Sequence, residues 1–148
     1  MKITKHSGSS EKQIVTGMIL DPVVLAQVAA KWDKENGLFS SKWCNIVAGW
    51  CIKYFTKYGK APKTNIQGMF EDYAEHAKSS ESVDLIEAFL SHLSKRAEKI
   101  KKNLNTEFIL DLAKKQFNEN LAKRTLQEME VVLENEGQEK FFQKLQDI

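Results

Sequence analysis

The apolar residues of this chain fall at three- and four-residue spacings, the repeat of amphipathic helices. Ile14, Val15, Met18 and Ile19 put one apolar face on a first helix ending near Leu20, with Ser10-Glu11-Lys12-Gln13 ahead of it as a capping box. Asp21-Pro22 predicts a fresh start, with Asp as N-cap and Pro in the first helical position. Val24, Leu25, Val28 and Trp32 share one side of this second helix; Asn36-Gly37 ends the stretch, and Leu38-Phe39 is expected to anchor against the core. Ser40-Ser41 caps a third helix running to Tyr58. Trp43, Cys44, Ile46, Val47, Trp50, Cys51, Tyr54, Phe55 and Tyr58 cover more than half its circumference, so it is expected at the centre of a bundle. Gly59 fits its C′ position and Pro62 follows.

Asn65 is read as the cap of a fourth helix carrying Ile66, Met69, Phe70, Tyr73, Ala74 and Ala77. Beyond residues 79–82 a fifth repeats the pattern with Ile86, Phe89, Leu90, Leu93 and Ala97, and closes on a basic run at 95–102 that suits the helix dipole. Asn105-Thr106 restarts the chain. Residues 106–136 contain neither Gly nor Pro and read as one helix about 45 Å long; Gly137 breaks it, and 138–147 begin another with Phe141, Phe142 and Leu145 apolar. The expected fold is therefore all-α: a tail at 1–9, a compact bundle of about five short helices over 10–103, and a long helix with the start of a helical hairpin over 104–148.

The long helix has two apolar arcs at 100° per residue. Phe108, Leu112, Ala122, Leu126, Met129 and Leu133 lie in one; Ile109, Leu110, Ala113, Phe117, Leu121 and Val132 lie nearly opposite. A helix at the edge of a domain needs one apolar face, so two imply a sandwiched helix. It is either internal to the bundle or held between its own domain and another copy. Ile109, Phe117, Leu121, Val132, Phe141 and Phe142 are the expected assembly residues.

Composition narrows the class of protein. The chain has 148 residues, only two prolines and seven glycines, consistent with one domain of long helices. Its net charge of +2 is no nucleic-acid signature, but the charge is unevenly spread. Residues 1–58 hold eight lysines against four acids, whereas 104–148 hold six basic residues against nine acids. Opposite ends of unlike sign could bring protomers together head to tail, although two solvated faces are the simpler reading. Cys44 and Cys51, seven residues apart on one helix and so about 10 Å apart along its axis, cannot bridge. They read as reduced core thiols of a cytoplasmic protein. The opening residues are too polar for a signal peptide, and no apolar run approaches a membrane span.

Catalytic constellations are not found. His6, His76 and His92 are scattered without cysteine partners, so no metal site or cofactor is expected. Gly59-Lys60 is followed by Ala61, with Tyr at position 54, so the phosphate-cradling G-x-x-x-x-G-K-[ST] loop does not occur. Glu71-Asp72 and Glu128/Glu130 read as solvated faces, and Ser40 and Ser41 as caps rather than nucleophiles. Trp43, Trp50, Tyr54 and Phe55 could stack on bases, but their helical spacing favours core packing. Lys95, Arg96, Lys99, Lys101 and Lys102 are candidates for phosphate contact, weighed against a helix end in water.

The order of elements resembles the N-terminal domain of DnaB-type replicative DNA helicases, phage members most closely. The stretch from Glu11 to Asp21 (EKQIVTGMILD) is similar to that family's opening helix. Leu38-Phe39-Ser40-Ser41 before the helix from Lys42 is similar to its aromatic-bearing segment, and Tyr58-Gly59-Lys60-Ala61-Pro62 to the phrase closing its central helix. The long helix, the break at Gly137 and the short helix after it follow the family's hairpin plan, with a shorter second arm. The likeness covers about residues 10–148. It implies a non-enzymatic collar module that assembles as a dimer or hexameric ring and recruits primase or a helicase loader. ATP hydrolysis, and most DNA contact, would belong to a motor domain of a parent protein. The helicase-binding domain at the C-terminus of primases is a close alternative; a free-standing phage adaptor or nucleic-acid-binding protein is another.

Overall fold

The structure, a computed structural model, describes residues 7–147. It contains α1 (Ser7–Leu20), α2 (Pro22–Ala30), α3 (Lys42–Tyr58), α4 (Ile66–His76), α5 (Ser80–Ile100) and α6 (Thr106–Gln146), with single 3-10 turns at Lys63–Asn65 and Lys101–Asn103. No strand occurs among the described residues, and the all-α expectation holds.

Local chemistry sets most of the boundaries. The Asp21 carboxylate accepts from the Val23 amide at 2.9 Å, and Pro22 opens α2 where a missing N–H costs nothing. The Ser41 hydroxyl accepts from the Cys44 amide, Ser79 from Ser82, and Asn105 from Phe108, capping α3, α5 and α6. Gly59 adopts φ 68°, the left-handed conformation that closes α3. Two expected caps are corrected. Ser10 lies inside α1, which starts at Ser7, so residues 7–9 of the expected tail are helical; residues 1–6 and His6 lie outside the described residues. Asn65 does not cap α4: it closes the Lys63–Asn65 turn and donates its amide to the Tyr54 hydroxyl at 3.0 Å.

The centre of the bundle is α1, which packs against α2, α3, α5 and α6. Its Ile14, Val15 and Met18 are wholly buried among Val24, Leu25, Val47, Cys51, Ile86 and Ile109. The expectation of a central α3 is therefore corrected. Only Cys44, Val47, Ala48 and Cys51 of α3 are buried, while its Trp and Tyr residues lie half exposed along one side. The pattern overstated burial because a tryptophan or tyrosine tolerates one wet edge, whereas a leucine of the same stripe gains only from burial. Cys44 and Cys51 are free and buried. Desolvation pushes the Cys44 thiol up to about 11 and Cys51 higher still, so both stay protonated and unreactive at neutral pH.

The first half of α6 belongs to this bundle, packing on α1 and α2. The expected division at residue 103 therefore does not mark a boundary of packing. Gly17 sets how closely the two helices approach. A Cβ there would lie 3.1 Å from the Ile109 Cγ2 and 3.4 Å from the Val24 Cγ1. Gly17→Val should push α6 off α1 and destabilise the fold by about 1–2 kcal/mol, read as a lower urea midpoint with an unchanged m-value. An unchanged midpoint would mean that this crossing has room to spare.

Candidate assembly surface

A buried polar knot fixes α6 to the bundle. Glu11, on the hub helix, is fully buried. Its carboxylate accepts four hydrogen bonds: from the Ser40 amide at 2.7 Å, the Ser40 hydroxyl at 2.9 Å, the Ser41 amide at 3.0 Å and the Asn120 side-chain amide at 2.8 Å. It thus serves the free N–H groups at the start of α3, a place that favours negative charge. Asn120, on α6, also donates to the Leu38 carbonyl at 2.9 Å and accepts from Gln116 at 2.9 Å. Three parts of the chain far apart in sequence are joined through one carboxylate. No buried side-chain nitrogen or oxygen among the described residues is left without a partner.

Two further ties flank the knot. The Thr106 hydroxyl donates to the Asp21 carboxylate, joining the start of α6 to the α1–α2 corner, where the two helices meet at a bend of 114°. Arg124 donates to the Gly37 carbonyl at 3.3 Å and lies 3.7 Å from the Asp33 carboxylate. The amides of Asn36 and Glu35 hold Asp33 below the usual carboxylate range, with Arg124 adding to the effect. Between these ties a groove of about 210 Å³ is lined by Lys31, Leu38, Phe117, Asn118, Asn120, Leu121 and Arg124.

The ties also decide which apolar arc of α6 faces inward. Ile109 and Ala113 are buried in the core, and Phe117 meets Phe39 edge-on with ring centroids 5.1 Å apart. The expectation that Ile109 and Phe117 belong to an assembly face is therefore corrected: both cover the protein's own bundle. Leu121 lies exposed at the groove rim. The opposite arc is bare only in part: Leu126 is 64% and Leu133 44% exposed and Phe108 is also exposed, whereas Leu112 packs against the core. Past Arg124, Met129 of that arc and Val132 are buried outside the main core cluster, so Val132, expected on the assembly face, is corrected as well. Gly137 then breaks the helix at φ 84°, ψ 180°. Beyond it Phe141 is half-buried, while Phe142 and Leu145 are exposed.

Lys95, Lys99, Lys101 and Lys102 are exposed at the end of α5 and the turn after it, and Arg96 donates to the Ser9 carbonyl at 3.1 Å. Desolvation, followed by the charges of Lys12, Arg96 and Lys95, holds His92 below its ordinary pKa. Asp72, Glu75 and His76 place donor atoms within 4.8 Å of one another, but all three are exposed on α4, and the His76 Nδ1 is bonded to the Asp72 carbonyl at 2.9 Å. No helix among the described residues is by itself long and apolar enough to cross a membrane.

Sequence reasoning missed Glu11, Asn120 and Arg124 as anchors. The signal for Asn120 was present, since it is a polar residue in the middle of the arc that holds Ile109, Ala113 and Phe117. Comparison of the chain with protein-family models, with curated proteins and with solved structures gives no match.

Proposed function

We propose that this chain is a non-catalytic helical assembly module of the DNA-replication machinery, built like the N-terminal collar domain of a DnaB-type helicase, with distal α6 as its contact surface. One observation carries the reading: beyond its last tie at Arg124, α6 continues with Leu126, Leu133, Phe142 and Leu145 exposed. Burying side chains of this size contributes roughly 1.5–3 kcal/mol each. Four of them, on the two stretches of α6 either side of Gly137, are therefore better placed against another copy than in solvent. The order of elements, including the left-handed Gly59 and the break at Gly137, supports the kinship with the collar domain.

In this reading the protomers form a dimer or a hexameric ring in the cytoplasm, and the assembled collar receives primase or a helicase loader. ATP hydrolysis lies in a motor domain of the parent protein, and this module needs no cofactor of its own. The test is Leu126→Asp combined with Leu133→Asp in the full chain. Both side chains point away from the bundle, so helical circular dichroism should be retained while the mass by light scattering falls to that of a single protomer. An associated mass that survives the double substitution, with the fold intact, would rule out this surface.

A further inference from the structure

An aromatic-rich stretch of the chain carries charge of one sign only. From Asn36 to Phe70 there are five lysines (Lys42, Lys53, Lys57, Lys60 and Lys63) and no Asp or Glu, in a protein whose total charge is only +2. All five side chains are exposed. At 100° per residue, Trp50, Lys53, Tyr54 and Lys57 fall on one side of α3, beside the arc of Cys44, Val47, Ala48 and Cys51 that enters the core; Tyr58, in line with that arc, ends the helix and is exposed.

The rings on that side form two pairs. Trp50 lies 5.4 Å from Tyr73 and Tyr54 lies 4.6 Å from Tyr58, centroid to centroid. The Lys57 ammonium sits 5.3 Å over the Tyr58 ring, which is 54% exposed. The bond from Asn65 to the Tyr54 hydroxyl brings the turn bearing Lys63 alongside the rings. On α4 the exposed Glu71 and Glu75 lie across the helix from Tyr73, turned away from this surface, while the exposed Asp72 lies about 100° to its flank.

From this arrangement we infer a second binding surface, separate from distal α6, that takes single-stranded nucleic acid along the C-terminal half of α3 and the following turn. Lysines would follow the phosphates while bases stack on Tyr58 and its neighbours, a combination that suits strands with unpaired bases and needs no sequence code. Duplex DNA offers phosphates but no free base faces, so it should bind less well. An acidic protein segment would use the lysines without the rings.

The test uses the whole chain and a fluorescently labelled oligothymidylate at low salt, followed by anisotropy and by tryptophan emission. Binding should weaken steeply as salt rises, with tryptophan quenching. Tyr58→Ala should cost about tenfold in affinity. Lys53→Glu with Lys57→Glu should cost more and flatten the salt slope by about 1.4, as expected for two lost single-strand phosphate contacts. Lys95→Glu with Lys99→Glu should leave affinity within about twofold. Circular dichroism checks that each variant folds; all the substituted side chains are exposed. The inference is overturned by any of four results: no binding at low salt, binding lost through Lys95 and Lys99 instead, a duplex bound as tightly as the single strand, or polyglutamate competing as well as unlabelled oligothymidylate.

Discussion

Glu11→Leu should lower the free energy of unfolding by about 4 kcal/mol, a large share of the roughly 5–15 kcal/mol available to a domain. Leucine fills a similar volume and is more apolar, so simple burial would predict a gain. The partners decide otherwise. Two of the donors to Glu11 are the backbone amides of Ser40 and Ser41, and a third is the Asn120 side chain, which α6 holds in place. None can leave when the carboxylate does, and each buried donor without an acceptor costs about 1–3 kcal/mol. Glu11→Gln keeps one acceptor oxygen but turns an NH2 group toward donors, so its loss should be intermediate, near 2 kcal/mol. A double-mutant cycle with Asn120→Ala should show coupling of about 1 kcal/mol or more, since the residues are in direct contact. Urea titration followed by circular dichroism measures all of these. A wild-type midpoint for Glu11→Leu would mean that the knot does not hold α6 to the bundle.

The second large effect is expected at Gly37, in the segment before α3. Gly37→Ala should destabilise the fold by about 3 kcal/mol. Gly37 has φ 67°, which costs an alanine roughly 1–2 kcal/mol. A Cβ would also lie far inside van der Waals contact distance of the Asn45 amide oxygen. That amide is not free to withdraw. Its oxygen accepts from the Phe39 amide at 3.0 Å and its nitrogen donates to the Phe39 carbonyl at 2.9 Å, locking the aromatic anchor into the core. Moving Asn45 aside would forfeit both bonds, at about 1 kcal/mol each. Gly59→Ala is the control, because Gly59 has a similar φ of 68° but open space around it. It should cost only the backbone share. Equal midpoints for the two variants would show that the Asn45 clamp yields without loss.

These two sites also mark where the sequence stops being readable. Three helix starts were legible because they rest on short-range chemistry: Asp21, Ser41 and Asn105 each cap a helix two or three residues away, whereas Ser79, read as part of a separator over 79–82, caps a helix that begins at Ser80. The break at Gly137 was legible for the same reason. Glu11 looked like part of a capping box because its partners lie 29 to 109 residues away, and no local pattern encodes such a distance. The two arcs of α6 are alike in composition, and only the ties of Thr106, Asn120 and Arg124 select the inner one. That selection put Ile109 in the core and Phe117 against it, and left Leu126 and Leu133 bare. The central place of α1 was likewise hidden. Its apolar face is short, but it meets four other helices, whereas the broader face of α3 owes much of its breadth to half-exposed aromatics.

Assembly is the property on which the proposed function turns, and sedimentation equilibrium of the unmodified chain over a wide concentration range tests it most directly. A collar-like module should give masses above the single protomer that rise with concentration through the dimer toward a closed ring of six. A single-protomer mass at every concentration would contradict self-assembly through α6, and with it the kinship to a helicase collar.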